Sequence, residues 1–316
     1  MSETGIGERM MHMSGLAVGP QPPQDASVPA GVDPAWLLDF SQNVYSQFGE
    51  DGVIEKVLET IPNRDGWCVE FGAWDGQFLS NTRNLIDNKA YAAVLIEADA
   101  DKFRELCSNY KHNPKVLPVN RFVGFEPAGS LDSILRGCPI PKDFDFLSID
   151  IDGNDYHAWK AVSEYRPKVV CVEYNPTIPT SVDFVQPADE SVSQGCSLLA
   201  LVKLGKEKGY ELVSVLNTNA FFVRAEDFPF FRIADNRPET LRKDQSRITY
   251  IFTGYDGRVF LSGYRALPWH QLKMLEPSIQ QLPRFLQRYP DNYSALQRRA
   301  FRFWRRLRKL SKFLPF

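Results

Sequence analysis

The 316-residue sequence has no run of about 18 apolar residues, which excludes a membrane-crossing helix of ordinary length. Its first 36 residues lack a cationic start followed by a long apolar stretch, so neither a secretory leader nor export is expected. The five cysteines, Cys68, Cys107, Cys138, Cys171 and Cys196, are odd in number and form no C-x-x-C pair. That argues against a zinc site or a disulfide framework and for reduced packing residues in a cytoplasmic protein. No repeat of fixed period is present, so repeat architectures drop out.

The composition, 43% apolar and 24% charged, is that of a folded globular chain and excludes one that is mostly disordered. The length accommodates one core of about 200–250 residues plus extensions. Residues 1–36, containing "GPQPPQDASVPAGVDP", are expected to form a flexible arm; 37–228 form the principal domain. Residues 229–290 are expected to be a cap, with a hairpin in "RITYIFTGYDGRVFLSG" turning at Asp256-Gly257. Residues 291–316 form a basic amphipathic helix. Residues 295–316 hold eight Lys/Arg and no Asp/Glu, so the net charge of −2 leaves −10 on the remainder.

From Trp67 onward short apolar runs alternate with helical patterns: "WCVEFGA", "YAAVLIEA", "KVLPVN", "FDFLSIDI" and "KVVCVEYN" are strands separated by helices. Alternation at this length predicts right-handed βαβ units and a parallel sheet covered on both faces. The runs "ELVSVL" and "NAFFVRA" are joined only by Asn217 and Thr218, too short a link for a helical crossover, so the last strand should run antiparallel. The expected fold is α/β, a Rossmann-like sheet of seven strands, mostly parallel.

"CVEFGAWDGQFLSNT" passes from a strand through a glycine turn toward a helix, the place where an open α/β sheet receives a ligand. Gly72 and Gly76 suit a close backbone approach, or equally a tight turn without ligand. Glu97 ends the next strand about 20 residues later, where a carboxylate can take both hydroxyls of a ribose. Together they favour a nucleoside cofactor. Glu70, inside the first strand, is costly to bury without a cationic group nearby. A pyrophosphate would be repelled by it, whereas the ammonium group of S-adenosylmethionine would be attracted.

The order "VEFGAWDG", "VLIEAD", "FLSIDIDGND", "VVCVEYN" and "GCSLLALVKLGKEKGYELV", finished by two strands, resembles class I S-adenosylmethionine-dependent methyltransferases. Within them it is most similar to the FkbM-type family, over residues 40–228. The resemblance implies methyl transfer to hydroxyls of sugars, glycans or related products. It also implies that Glu70, Gly72 and Gly76 border the methionine end of the cofactor, Glu97 the ribose, and Asn120 with Arg121 the adenine. Trp74 stands where many members of the class have a middle glycine. The segment "SQFGED", Ser46–Asp51, recurs in such sequences and is expected to close over the cofactor; read alone it is a helix start.

"FLSIDIDGNDYHAWKAV" then places Asp150, Asp152, Asn154 and Asp155 at the carboxyl edge of the fourth parallel strand, beside Glu173 and Asn175 from the fifth. Three readings stand. Asn154 or Asp155 caps the following helix. Asp150 or Asp152 is a general base for an acceptor hydroxyl. Or Asp150, Asp152, Glu173 and Asn175 surround Mg²⁺, whose preference for hard oxygen ligands fits the set. His157 is either a further catalytic base or a packing residue.

Beside the enzyme stands a non-catalytic binding or scaffold protein on the same fold, since fold alone proves no activity. A nucleic-acid partner is disfavoured by the acidic body, and no proline-aromatic tetrapeptide ends the fourth strand. In the tail, Leu296, Ala300, Phe303, Trp304, Leu307, Leu310 and Leu314 share one helical face; Arg298, Arg302, Arg305, Lys309 and Lys312 share the other. That pattern suits peripheral attachment to an anionic membrane at the inner face, or docking on the chain's own acidic body.

Overall fold

The computed structural model describes residues 33–310. Seven strands form one sheet: β1 (Trp67–Phe71), β2 (Ala92–Glu97), β3 (Val116–Asn120), β4 (Phe146–Ile149), β5 (Val169–Glu173), β6 (Tyr210–Val215) and β7 (Asn219–Arg224). Their order is β3-β2-β1-β4-β5-β7-β6, with β1 to β5 parallel and β7 antiparallel to both β5 and β6. This is the Rossmann-like, mostly parallel seven-stranded sheet expected from the sequence. The inner strands are continuous apolar runs because helices cover both faces. Pro118 interrupts β3, which is tolerable because β3 is an edge strand and needs no ladder donor on its outer side.

The intervening helices are α1 (Glu50–Thr60), α2 (Arg83–Lys89), α3 (Ala100–Tyr110), α4 (Leu131–Leu135), α5 (Asp155–Ala161) and α6 (Leu198–Glu207). α1 begins directly after Gly49, whereas α2 starts later than its apolar pattern predicts, and at both starts a carboxylate competes for the backbone. The Asp51 Oδ2 accepts the N–H groups of Val44, Tyr45 and Ser46 at 2.7–2.8 Å, so residues 41–49 fold around it instead of extending α1. Residues 80–82 serve Glu70 and delay α2 in the same way. Ala35 and Trp36, placed in the arm by composition, are packed instead: Ala35 is buried and the Trp36 indole N–H donates to Phe231 O. The rest of the arm, residues 1–32, lies outside the described residues.

At the amino edge of the sheet, Lys168 is buried between two carboxylates, its Nζ 2.7 Å from Asp145 and 2.7 Å from Asp65. Asp145 also accepts the N–H groups of Asp65 and Gly66, so this buried charge is fully partnered. The five cysteines are unpaired, three of them buried, as expected of packing residues.

The cap holds a short helix, α7 (Pro238–Leu241), and the expected hairpin of β8 (Thr249–Thr253) and β9 (Val259–Gly263). A two-residue pair, β10 (Ala266–Leu267) with β11 (Leu272–Lys273), follows. Buried Arg242 ties the cap to the segment after β5 by donating to the backbone oxygens of Pro176 and Ile178. Among the described residues no helix is long and apolar enough to cross a membrane. The last helix, α8 (Ala295–Leu310), leaves Leu296, Phe303 and Leu307 exposed, while Phe301 leans on Tyr293 and Ala300 and Trp304 are half-buried. Lys312 and Leu314, assigned to its two faces, lie outside the described residues.

Candidate functional site

The site lies where β1 and β4 adjoin, at the carboxyl edge of the sheet. Gly72 follows β1 with φ 75°, and a β-carbon there would lie 1.9 Å from the backbone oxygen of Asp150. Gly76 has φ 73°, and its β-carbon would strike Leu106 and Tyr110 on α3, whose phenol donates to Gly76 O at 2.8 Å. Both glycines are therefore demanded by the protein's own packing: the first lets the loop touch β4, the second lets it touch α3. Trp74 stands between them in the left-handed region, φ 52°, a conformation that a bulky residue adopts at a cost.

Glu97 holds that loop in place. Its Oε2 accepts from Trp74 N at 2.7 Å and its Oε1 from Asp99 N at 2.7 Å, while Asn120 donates to Glu97 O at 2.8 Å and Ala98 O at 3.2 Å. Each carboxylate oxygen keeps a second lone pair for a ligand hydroxyl. Trp74, Phe78, Leu79 and Phe122, which follow β1 and β3, expose 40–65% of their surface, and Lys102 lies over the Trp74 ring at 4.7 Å.

Glu70 does not meet a cation. It is 5% exposed, and it accepts from Ser80 Oγ (2.6 Å), Thr82 Oγ1 (2.7 Å) and Asn81 N (2.9 Å). Burial raises its pKa, opposed by these neutral donors. The expectation that a buried Glu70 needs a positive partner is corrected: one loop with two hydroxyls and an amide is enough.

Asp150 and Asp152, after β4, are brought together with Glu173. Carboxylate oxygens of Asp150, Asp152 and Glu173 all lie within 4.8 Å of one another. Burial pushes Asp150 well above the carboxylate range, and the charges of Asp155, Asp152, Glu70 and Glu50 add to it. Glu173 is raised well above the range too, by burial first and then by Asp150, Asp155 and Asp152. Asp152 has φ 54°, a left-handed conformation that a non-glycine residue adopts at a cost of about 1–3 kcal/mol, a strain found mostly at functional sites.

The capping expectation is met by position only. Asn154 is the N-cap of α5 but its side chain makes no capping bond; it accepts from Gln186 Nε2 at 2.9 Å and donates to Asp189 O at 3.2 Å. Asp155 turns back to accept from Ile151 N and Gly153 N, both at 2.9 Å, and so braces the loop that carries Asp152. Burial lifts its pKa to about 6 against those two bonds.

Two predicted residues are bonded elsewhere, although Asn175 still lines the smaller cavity with Asp152 and Glu173. The His157 Nε2 lies 2.9 Å from Gln186 O, with the ring packed between Phe125 and Tyr156, and it lines neither cavity at this edge. Its place is that of a packing residue. Asn175 spends its amide on Thr177, at 2.7 Å and 3.0 Å, and on Gln194 O at 3.0 Å.

A cavity of about 440 Å³ covers the carboxylates, lined by Asp150, Asp152 and Glu173 from the sheet, by Glu50 and Asn219, and by Arg247 and Trp269 from the cap. A second, of about 320 Å³, shares Asp152, Glu173 and Trp269 as a common wall. The "SQFGED" segment borders the first cavity through Gln47, Phe48 and Glu50, so it closes over the carboxylates. Asn219, aligned with Glu173 across the β5–β7 pair, donates to Glu50 Oε1 at 3.1 Å and keeps a buried Oδ1 without a partner. Glu50, Asn219, Arg247 and Trp269 were not picked out from sequence. The acid in "GED" carried the one local signal.

No family model and no curated protein matches the sequence. The solved structures that the chain is similar to include several that carry S-adenosylmethionine or its demethylated product in their names. A SAM-dependent methyltransferase from Aquifex aeolicus is 12% identical, with 61% of this chain and 97% of that one covered and a TM-score of 0.34. The N-terminal domain of EvdMO1 with SAH bound is 12% identical, covering 59% and 82%, TM-score 0.36. M. jannaschii TYW2 in complex with AdoMet is 15% identical, covering 59% and 80%, TM-score 0.33.

Proposed function

We propose that the protein is an S-adenosylmethionine-dependent O-methyltransferase acting on a hydroxyl of a sugar, glycan or related small molecule. The observation that carries this reading is the contact between Gly72 and Asp150. A ligand seated on the glycine loop and Glu97 would lie beside the carboxylates that line the cavity of about 440 Å³, which is large enough for an acceptor. The residues fit the cofactor: Glu97 keeps acceptor capacity for hydroxyls, and Trp74 and Phe122 supply apolar cover. S-adenosylmethionine, when bound, supplies an electrophilic methyl group on sulfur.

An alcohol is a poor nucleophile unless its proton is removed as the new O–C bond forms. Asp150 is the residue for this task, because burial and neighbouring charge make its carboxylate a stronger base than an exposed one. Asp155 keeps the 151–153 loop in place, and Arg247 and Trp269 of the cap line the cavity above it. A divalent cation such as Mg²⁺ is a second reading, favoured by the three converging carboxylates and the unpartnered Asn219 Oδ1. Asp150, Asp152 and Glu173 would hold it, and it would acidify a bound hydroxyl.

Calorimetry with S-adenosylmethionine and S-adenosylhomocysteine tests the reading at its base. Saturable heat with one site per chain is expected. Silence at millimolar ligand would remove the enzyme and leave a scaffold on this fold.

We also propose that α8 rests on an anionic membrane surface. Leu296, Phe303 and Leu307 remain exposed on a helix whose first turn holds no acidic residue, within a segment carrying eight cations. Each cation near an anionic leaflet adds about 1 kcal/mol. The full chain should pellet with phosphatidylserine-containing vesicles at low salt, and a chain ending at Ser294 should stay in the supernatant. Equal pelleting of the two would assign the helix to the fold alone.

A further inference from the structure

The cap places one cation over the carboxylate edge, and that cation is unspent. Arg247 lines the larger cavity opposite Glu50, Asp150, Asp152 and Glu173, yet among the described residues its guanidinium makes no ion pair and no hydrogen bond. It lies over the Phe48 ring, 5.4 Å from the centroid, which fixes its plane without using its donors. An arginine that shares a cavity with four carboxylates and pairs with none of them keeps its donors for a group that enters from outside. Its five donors form a rigid fork matched to a carboxylate or a phosphate.

The neighbouring wall adds the rest of the recognition. Trp269 is 57% exposed, and its indole borders both cavities. It is carried between the paired strands β10 and β11, and Gln271 in the same turn has φ 54°, so the turn is held in a strained conformation. A flat apolar ring beside polar carboxylates and a free guanidinium suits a sugar ring: one face stacks on the indole, and the hydroxyls point to the sheet.

We infer that the acceptor is a sugar bearing an anionic substituent, a carboxylate or a phosphate, held by Arg247 while its ring rests on Trp269. This rests on the methyl-acceptor reading of the cavity and narrows it to a charge class. The repelling carboxylates explain why a cation belongs in this cavity: an anionic group can enter beside them only with a counter-charge of its own, and that anchor fixes which hydroxyl meets Asp150.

The test is equilibrium binding, independent of turnover. Matched gluco, galacto and manno sets, each as the neutral methyl glycoside, the uronate and the 6-phosphate, are titrated into the full chain with S-adenosylhomocysteine and without it. At least one anionic sugar should bind 10-fold or more tightly than its neutral counterpart, the uronate and phosphate arms showing which anion is used. Arg247→Ala should erase that preference and leave neutral-sugar binding within about twofold; Arg247→Lys should keep part of it. Absence of any anionic preference in the wild type would overturn the inference. So would equal weakening of neutral and anionic sugars by Arg247→Ala, which would make Arg247 a counter-charge for the protein's own carboxylates. Loss of S-adenosylhomocysteine binding with the anionic preference intact would remove the methyl-transfer reading and leave this one standing.

Discussion

Asp150→Asn is expected to cut turnover roughly 100-fold or more while leaving S-adenosylmethionine affinity within about twofold. The side chain is nearly isosteric and the Gly72 contact is made by the Asp150 backbone oxygen, so the cofactor loop keeps its seat. What goes is the group that accepts the proton or holds the cation. Chelation separates these two roles: loss of wild-type activity in EDTA with recovery on adding Mg²⁺ assigns a metal, and insensitivity assigns a base. Wild-type turnover in the variant would remove Asp150 from the reaction. The same substitution should stabilise the chelated protein at pH 7. Asp150 and Glu173 have raised pKa values in the fold, so as pH rises past the ordinary carboxylate range the unfolded chain deprotonates first. Stability conferred by the protonated groups is present below that range and is lost as pH climbs through the folded values. Removing one of them flattens the loss, so a melting-temperature series from pH 4 to pH 8 should fall less steeply for the variant.

Gly72→Ala should destabilise the fold by roughly 3 kcal/mol or more. About 1–2 comes from forcing a β-carbon into the left-handed region and about 1–3 from overpacking, since the new carbon meets a backbone oxygen that cannot rotate away. In a domain of this size that lowers the melting temperature by about 6 °C or more. Gly66→Ala is the internal control. Gly66 has φ 77° and nothing within 4 Å of the position a β-carbon would take, so it should show the conformational cost alone. Equal melting temperatures for the two variants would mean that the loop and β4 do not touch. If the contact is real, the residual folded Gly72→Ala protein should also lose activity, because the shift propagates into Asp150.

The five parallel strands were legible because each is a short apolar run ended by a glycine, an acid or an amide, and because buried parallel strands admit no polar alternation. The antiparallel finish was legible from the two-residue link at Asn217. Strand order was not, since nothing local tells β7 to enter between β5 and β6. The acid cluster was readable as a cluster because Asp150 and Asp152 are close in sequence and Glu173 ends the next strand. Roles were harder. Glu70 seemed to demand a cation because its donors, Ser80 to Thr82, sit in a stretch whose periodicity reads as helix. Gly72 and Gly76 read from sequence as glycines for a ligand's approach, and the packing that also requires them was not readable: their bare α-carbons face the residue after β4 and α3, contacts made across 78 and 30 or more residues of chain. Asn175 matched a ligand by type and position, yet the Thr177 hydroxyl two residues on takes its oxygen. Arg247 and Trp269 could not be found at all. They belong to a cap without a motif, and only folding brings them over the sheet.

The buried ion network around Lys168 has a consequence for how the molecule breathes. Its attraction is spent at the amino edge of the sheet, whereas repelling carboxylates gather at the carboxyl edge. The strands are therefore pinned at one end and loosened at the other. Partial openings of low free energy should begin at the carboxylate rim and die out before reaching Lys168, so that thermal motion admits ligands to the cleft without exposing the strands beneath it.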